Sequence, residues 1–251
     1  MIDSTLAGVT RAPITYTKNS RSKTQSVYLP IGYALSGVFI LVACLLFQLL
    51  YNDFSPWILT PGFLLIGVLG ATLTRSGPFG MHACILTYSI CALVAALAES
   101  YSSSYFGAPM SQPDSNLFYD LVLNNSYNTI DELTTIVNAP LAVYTWKIIY
   151  RIISPFNGSG PVAGVLFNAS MAGVAGALSV KSAKVLFGED ARRLYKVSIL
   201  FSTCGLVWLF GALFLRDSFA LFFNALTLWA MLNWLNKQSI KNAVLAAGTL
   251  L

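Results

Sequence analysis

The length of the apolar blocks constrains this chain most. Several run for about 18 to 23 residues with hardly a charge, enough to cross a hydrocarbon core about 30 Å thick. They lie at about Tyr28–Leu50, Trp57–Thr74, Met81–Ala98, Pro161–Val180, Val197–Leu215 and Ser218–Leu235. Pro61 inside the second is compatible with a membrane helix, where neighbours re-satisfy the freed backbone groups. Of the 251 residues only 10% are charged, against about a quarter in a soluble domain. The expected fold is therefore all-α: a polytopic transmembrane bundle of six spans. Ala243–Leu251 is too short to cross alone. It is expected either to begin a partial seventh span of a longer chain or to dip into the interface.

The basic residues orient the bundle. Arg11, Lys18, Arg21 and Lys23 precede the first block, and Arg75 follows the second. Lys181, Lys184, Arg192, Arg193 and Lys196 follow the fourth, and Lys237 and Lys241 follow the sixth. If Pro140–Ser154 lies at the interface, these twelve of the fifteen basic residues share one side, with Lys147, Arg151 and Arg216 opposite. If that segment spanned, the cluster after the fourth block would move across. The positive-inside rule selects the first arrangement, so the N-terminus is expected in the cytoplasm. The net charge of +5 then reports orientation, with no nucleic-acid partner implied. The first 27 residues are polar and lack the apolar core of a leader peptide.

The organisation expected is a tail at 1–27, a three-span unit at 28–98, an extracytoplasmic loop with interfacial helices at 99–159, and a second membrane unit at 160–251. The loop concentrates Glu99, Asp114, Asp120, Asp131 and Glu132, and from 99 to 137 it has no Lys or Arg.

Asp114 follows Pro113 and opens a helix over Ser115–Leu123. As an N-cap it would bond free amide N–H groups. As a carboxylate at a helix N-terminus, where its charge is favoured, it could also take a proton from a hydroxyl nucleophile. Asp120, six residues on, falls on roughly the opposite side of an ideal helix, so a metal pair within this helix is not indicated. Thr129 and Glu132 have capping-box spacing, which accounts for Asp131 and Glu132.

In 140–154, Lys147, Arg151 and Ser154 share one helix face, while Ile148, Ile149, Ile152 and Ile153 point the other way. That is an interfacial amphipathic helix. With Tyr144, Trp146 and Tyr150 around them, the two cations can anchor lipid headgroups or cradle a lipid-linked phosphate. Arg216-Asp217 breaks about forty apolar residues, which as one helix would reach about 60 Å, twice the bilayer core. The pair marks a hairpin turn, either closed by a local ion pair or presenting Arg216 to an anionic group.

Gly164, Asn168, Ala172 and Gly176 recur every four residues, a spacing that lets helices approach closely. Asn168, Asn224 and Asn233 read as interhelical hydrogen-bonders. Cys44, Cys84, Cys91 and Cys204 all sit in apolar blocks and read as buried small side chains. His82, the single histidine, reads as incidental. No phosphate-binding glycine loop, metal-ligand cluster or catalytic Ser/His arrangement occurs; no cofactor is called for, and a divalent metal stays open without being indicated.

Residues 110–236 resemble the GT-C-type integral-membrane glycosyltransferases and the O-antigen or polysaccharide polymerases similar to them. The likeness rests on Pro113-Asp114-Ser115 with Tyr119, on the interfacial segments 130–137 and 140–154, on Lys184-Val-Leu-Phe-Gly188-Glu-Asp-Ala-Arg192-Arg, and on Arg216-Asp217-Ser218. It implies Asp114 as catalytic base, with Tyr119, Asp120 and Asp217 in support. It implies a polyprenyl-phosphate or pyrophosphate-linked sugar donor, its phosphate near Lys147, Arg151 or Arg216. Transfer would occur on the extracytoplasmic face of a bacterial inner membrane. Three spans precede the Asp114 loop here, where the simplest GT-C pattern has one. The alternatives are a transporter or flippase, or a non-enzymatic subunit of a surface-polysaccharide pathway.

Overall fold

The computed structural model describes residues 21–106, 113–124, 134, 140–154, 161–237, 244 and 248, which are almost wholly helical. Nine helices are traced here: α1 (Arg21–Tyr51), α2 (Pro56–Thr74), α3 (Pro78–Phe106), α4 (Pro113–Asn124), α5 (Pro140–Ile153), α6 (Val162–Phe187), α7 (Ala191–Ser202), α8 (Gly205–Ala212) and α9 (Asp217–Lys237). Within them α1, α2, α3, α6 and α9 are each long and apolar enough to cross a membrane, and α7 with α8 meets that test only as a bent pair, a broken span or a re-entrant loop. The chain is a polytopic membrane helix bundle, as the apolar blocks require. The segments at 1–20, 125–133 and 238–243 lie outside the described residues, as do Asp131, Glu132, Lys241 and most of Ala243–Leu251.

The bundle is organised around α6, which is buried along almost its whole length. It packs on α3, α9 and α2. Its small residues permit this: Ala169, Ala172, Gly173, Ala175 and Gly176 are all buried, and without bulk at these positions helix axes come close. The outer helices show lipid-facing side chains instead, among them Leu41, Leu49, Leu65, Leu73 and Leu228. Hydroxyls tie the layers together. Tyr88 donates to the Thr60 carbonyl at 2.6 Å, next to Pro61, and Ser170 to the Phe63 carbonyl at 2.7 Å.

The fifth apolar block is not the single helix its composition suggests. It is broken at Thr203-Cys204, with α7 and α8 bent by 54°. The break is stabilised locally: Trp208 Nε1 reaches back to the Ser202 carbonyl at 2.5 Å, and Thr203 N–H bonds the Ile199 carbonyl. Cys204, expected to be buried, is exposed at the break. Two polar pairs hold α7 against α3, His82 Nδ1 with Ser198 Oγ at 2.7 Å and Thr87 Oγ1 with Ser202 Oγ at 2.9 Å. His82 is fully buried between the rings of Tyr33 and Tyr195. It is a packing residue of three helices, not an incidental one.

Alternation of the helices sorts the chain into two ends. At one, Leu29, Phe79, Val180 and Leu194 form a small core where α1 and α3 start and α6 finishes. Lys184 pairs there with Glu189 at 2.5 Å, and Asp190 caps α7 through the amides of Arg192 and Arg193. At the other end, α4 and α5 cap the bundle.

Candidate functional site

The capping end is held by an aromatic junction. Trp146 of α5 is fully buried and stacks on Phe214 with ring centroids 4.3 Å apart. Phe118 of α4 and Phe219 of α9 close around it at 5.6 and 5.4 Å. Tyr119 stands edge-on to both Tyr150 and Phe214. α4 reaches the core through Phe118, Leu121 and Val122.

Asn168 is the polar centre of this junction. The indole N–H of Trp146 donates to Asn168 Oδ1 at 3.0 Å, and Asn168 Nδ2 donates to the Leu213 and Leu215 carbonyls at 2.7 and 3.1 Å. An indole nitrogen only donates and a carbonyl only accepts, so the amide can sit only one way round. The residues leading into α9 leave helical geometry at Leu213, and backbone freed in an apolar setting needs such partners. Asn168 therefore joins α5, which carries Lys147 and Arg151, to the turn that carries Arg216. The interhelical role expected of it holds. Asn224, by contrast, is exposed on α9, and no hydrogen bond joins its side chain to another described residue.

The four-residue stripe packs as its spacing indicates. A Cβ at Gly164 would fall onto the Phe214 ring, and Gly164 N–H also donates to the Tyr150 hydroxyl at 3.3 Å. Gly164→Ala is expected to cost about 1–3 kcal/mol, read as a lower thermal midpoint in detergent.

α5 has three faces where two were expected. Ala142, Val143, Trp146 and Tyr150 are buried. Lys147 and Arg151 form a cationic edge, with Arg151 exposed. Ile148 and Ile152 point outward, Ile152 with 70% of its surface exposed. The isoleucine face is thus split, since Ile149 and Ile153 are half-buried against the core. The aromatic side wins because Trp146 finds a hydrogen-bond acceptor in the core, and isoleucine is equally content against lipid.

The expected site residues distribute as follows. Asp114 falls in the first turn of α4, and its side chain lies outside the described residues. Asp120 is exposed further along α4. Arg216 is exposed in the turn before α9 and Asp217 opens that helix; the local ion pair considered for them does not form. Lys147 and Arg151 share α5 with Trp146, and Arg216 lies two residues beyond Phe214. Burial, and then the Asp120 carboxylate, push the Tyr119 phenol above its ordinary range. Burial does the same more strongly to Tyr150. Both remain protonated at neutral pH and can donate. No group of three metal-ligating side chains occurs among the described residues.

One residue of this end escaped the sequence reading. Glu99 lies inside α3, not in the loop, and is only 6% exposed. It is the one carboxylate, ammonium or guanidinium buried among the described residues. The Tyr51 hydroxyl donates to its Oε2 at 3.5 Å, so the ends of α1 and α3 are linked beneath the cap. The available signal was its position four residues after Ala95 in a helix that could run on past Ala98.

Comparison with protein families, with curated proteins and with solved structures returns no match to this chain.

Proposed function

We propose that this chain is a membrane glycosyltransferase or polysaccharide polymerase that moves a sugar from a polyprenyl-phosphate-linked donor on the extracytoplasmic face of a bacterial inner membrane. One observation carries the reading: the Trp146–Asn168–Phe214 junction unites the cationic helix, the Arg216 turn and the Asp114 helix at one end of the bundle. Cations at headgroup depth attract a lipid-linked phosphate. The Pro-Asp-Ser motif, at the start of the helix that meets the junction through Phe118, supplies a carboxylate. In the reaction the acceptor hydroxyl gives its proton to Asp114 as its oxygen bonds the anomeric carbon. The bond from that carbon to the donor phosphate breaks, and the lipid phosphate leaves with the electron pair. Lys147 and Arg216 stabilise the charge that develops on it. The concentration of basic residues at the opposite end supports the same orientation.

Lys147→Gln and Arg216→Gln are each expected to raise the KM for donor about fivefold, from about 1 kcal/mol per cation near a charged headgroup. The measurement is transfer from a radiolabelled polyprenyl-phosphate sugar in proteoliposomes. A wild-type protein that moves the donor between leaflets without transferring sugar would overturn the proposal. Transport is the second reading, and it draws on His82 and Glu99, two ionisable side chains buried at opposite ends of α3.

A further inference from the structure

A groove of about 270 Å³ lies between residues of α2, α5 and α6. Ile58, Gly62 and Ile66 form one wall, Ile149 and Ile152 the other, with Phe167 of α6 between. The walls are hydrocarbon throughout. Ile58, Ile66 and Ile152 are exposed at its lips. Because α2 is a membrane span, the groove opens sideways onto lipid.

Unfilled walls forfeit their dispersion contacts, and folded proteins leave few such voids. A chain entering from the bilayer gains no hydrophobic energy, since lipid tails are as apolar as leucine. What it gains is contact, and an anchored headgroup decides which lipid stays. Arg151 is that anchor: it precedes Ile152 on α5, is exposed, and has no ion pair among the described residues. The groove's extent selects the chain. From Ile58 to Ile66 it runs about 12 Å at 1.5 Å per residue, close to the half-thickness, about 15 Å, of one leaflet. A long isoprenoid would overrun it.

We propose that the α2–α5 groove seats one acyl chain of a glycerophospholipid, with the phosphodiester at Arg151 and the second chain in the adjoining bilayer. This lipid packs α5 on the side that faces α2. The inference stands apart from the transfer reaction. It assigns Arg151 to the phospholipid and leaves Lys147 and Arg216 for the donor.

Gly62 provides the test. A Cβ there meets no atom within 4 Å, so Gly62→Leu starts its side chain in open space at the groove wall, and leucine suits a helix better than glycine. The full chain is extracted in mild detergent, and retained lipid is identified by native mass spectrometry. A photoreactive residue at position 152 is crosslinked in membranes in parallel. Wild type is expected to carry a glycerophospholipid and to crosslink to it. Gly62→Leu should lose that lipid without a lower thermal midpoint, and Arg151→Gln should retain less of it. Recovery of no lipid, recovery of polyisoprenyl phosphate alone, or wild-type retention by Gly62→Leu would each overturn the proposal.

Discussion

Asp114→Asn is expected to slow sugar transfer by about 10²- to 10⁴-fold, the usual contribution of a positioned general base, and to leave the thermal midpoint unchanged. The residue has two separable tasks. It stands after Pro113 at the start of α4, and proline is preorganised for a first helical position. Asp114 is thus the second residue of the helix and not the N-cap its sequence position suggests, and a carboxylate in that first turn gains from the helix dipole. Asparagine keeps the shape of aspartate and gives up only that dipole term, so the substitution costs the helix little. It removes only the group that can accept a proton at neutral pH. Asp120→Asn is the matched comparison, since Asp120 is exposed on the same helix; as a supporting residue it should slow transfer far less than Asp114→Asn. Both variants are assayed for transfer in proteoliposomes at equal expression. Wild-type turnover by Asp114→Asn would remove the base from the mechanism, whatever its stability.

Much of this architecture was open to reading because a bilayer punishes exposed backbone and charge. Five of the six apolar blocks are helices long enough to cross a membrane and the other, Val197–Leu215, is a bent pair, and Arg216-Asp217 had to fall at a turn because no single helix so long suits the bilayer. Pro140–Ile153 could be separated from the spans by charge placement alone. What hydropathy does not carry is direction. It scores Trp146 and Ile152 alike as apolar, yet one is buried beside Asn168 and the other faces outward. Nor does it mark the break at Thr203-Cys204, which depends on Trp208 reaching back to Ser202. Glu99 was misjudged because a carboxylate after an apolar block reads as the start of a loop. Its burial depends on Tyr51, 48 residues away. The site residues with charge were visible as exceptions in an apolar chain. The hydrogen bonds that gather their helices are long-range and were not.

Asn168→Leu tests that gathering. Leucine has the branching and heavy-atom count of asparagine, with two bulkier methyls in place of the amide, so the fully buried site stays filled while three hydrogen bonds vanish. The Trp146 indole N–H and the Leu213 and Leu215 carbonyls would lose their partner in a place water does not reach. An orphaned buried group costs about 1–3 kcal/mol. Single interhelical bonds between membrane helices average nearer 0.6 kcal/mol, because the unfolded chain in lipid finds substitutes. Here the two carbonyls belong to a non-helical turn with no helical partner to fall back on, so the larger scale applies to them. The expected loss is about 2–4 kcal/mol, seen as a lower thermal midpoint and as earlier proteolysis near Arg216. Trp146→Phe removes the indole bond and also empties part of a fully buried site, so a cavity term adds to the lost bond. In the double variant the two losses should fall short of their sum, because they share one hydrogen bond. Strict additivity, or wild-type melting by Asn168→Leu, would mean that the aromatic stack alone holds α5 to the Arg216 turn. The cations of the two elements would then be neighbours by packing and not by the Asn168 clamp.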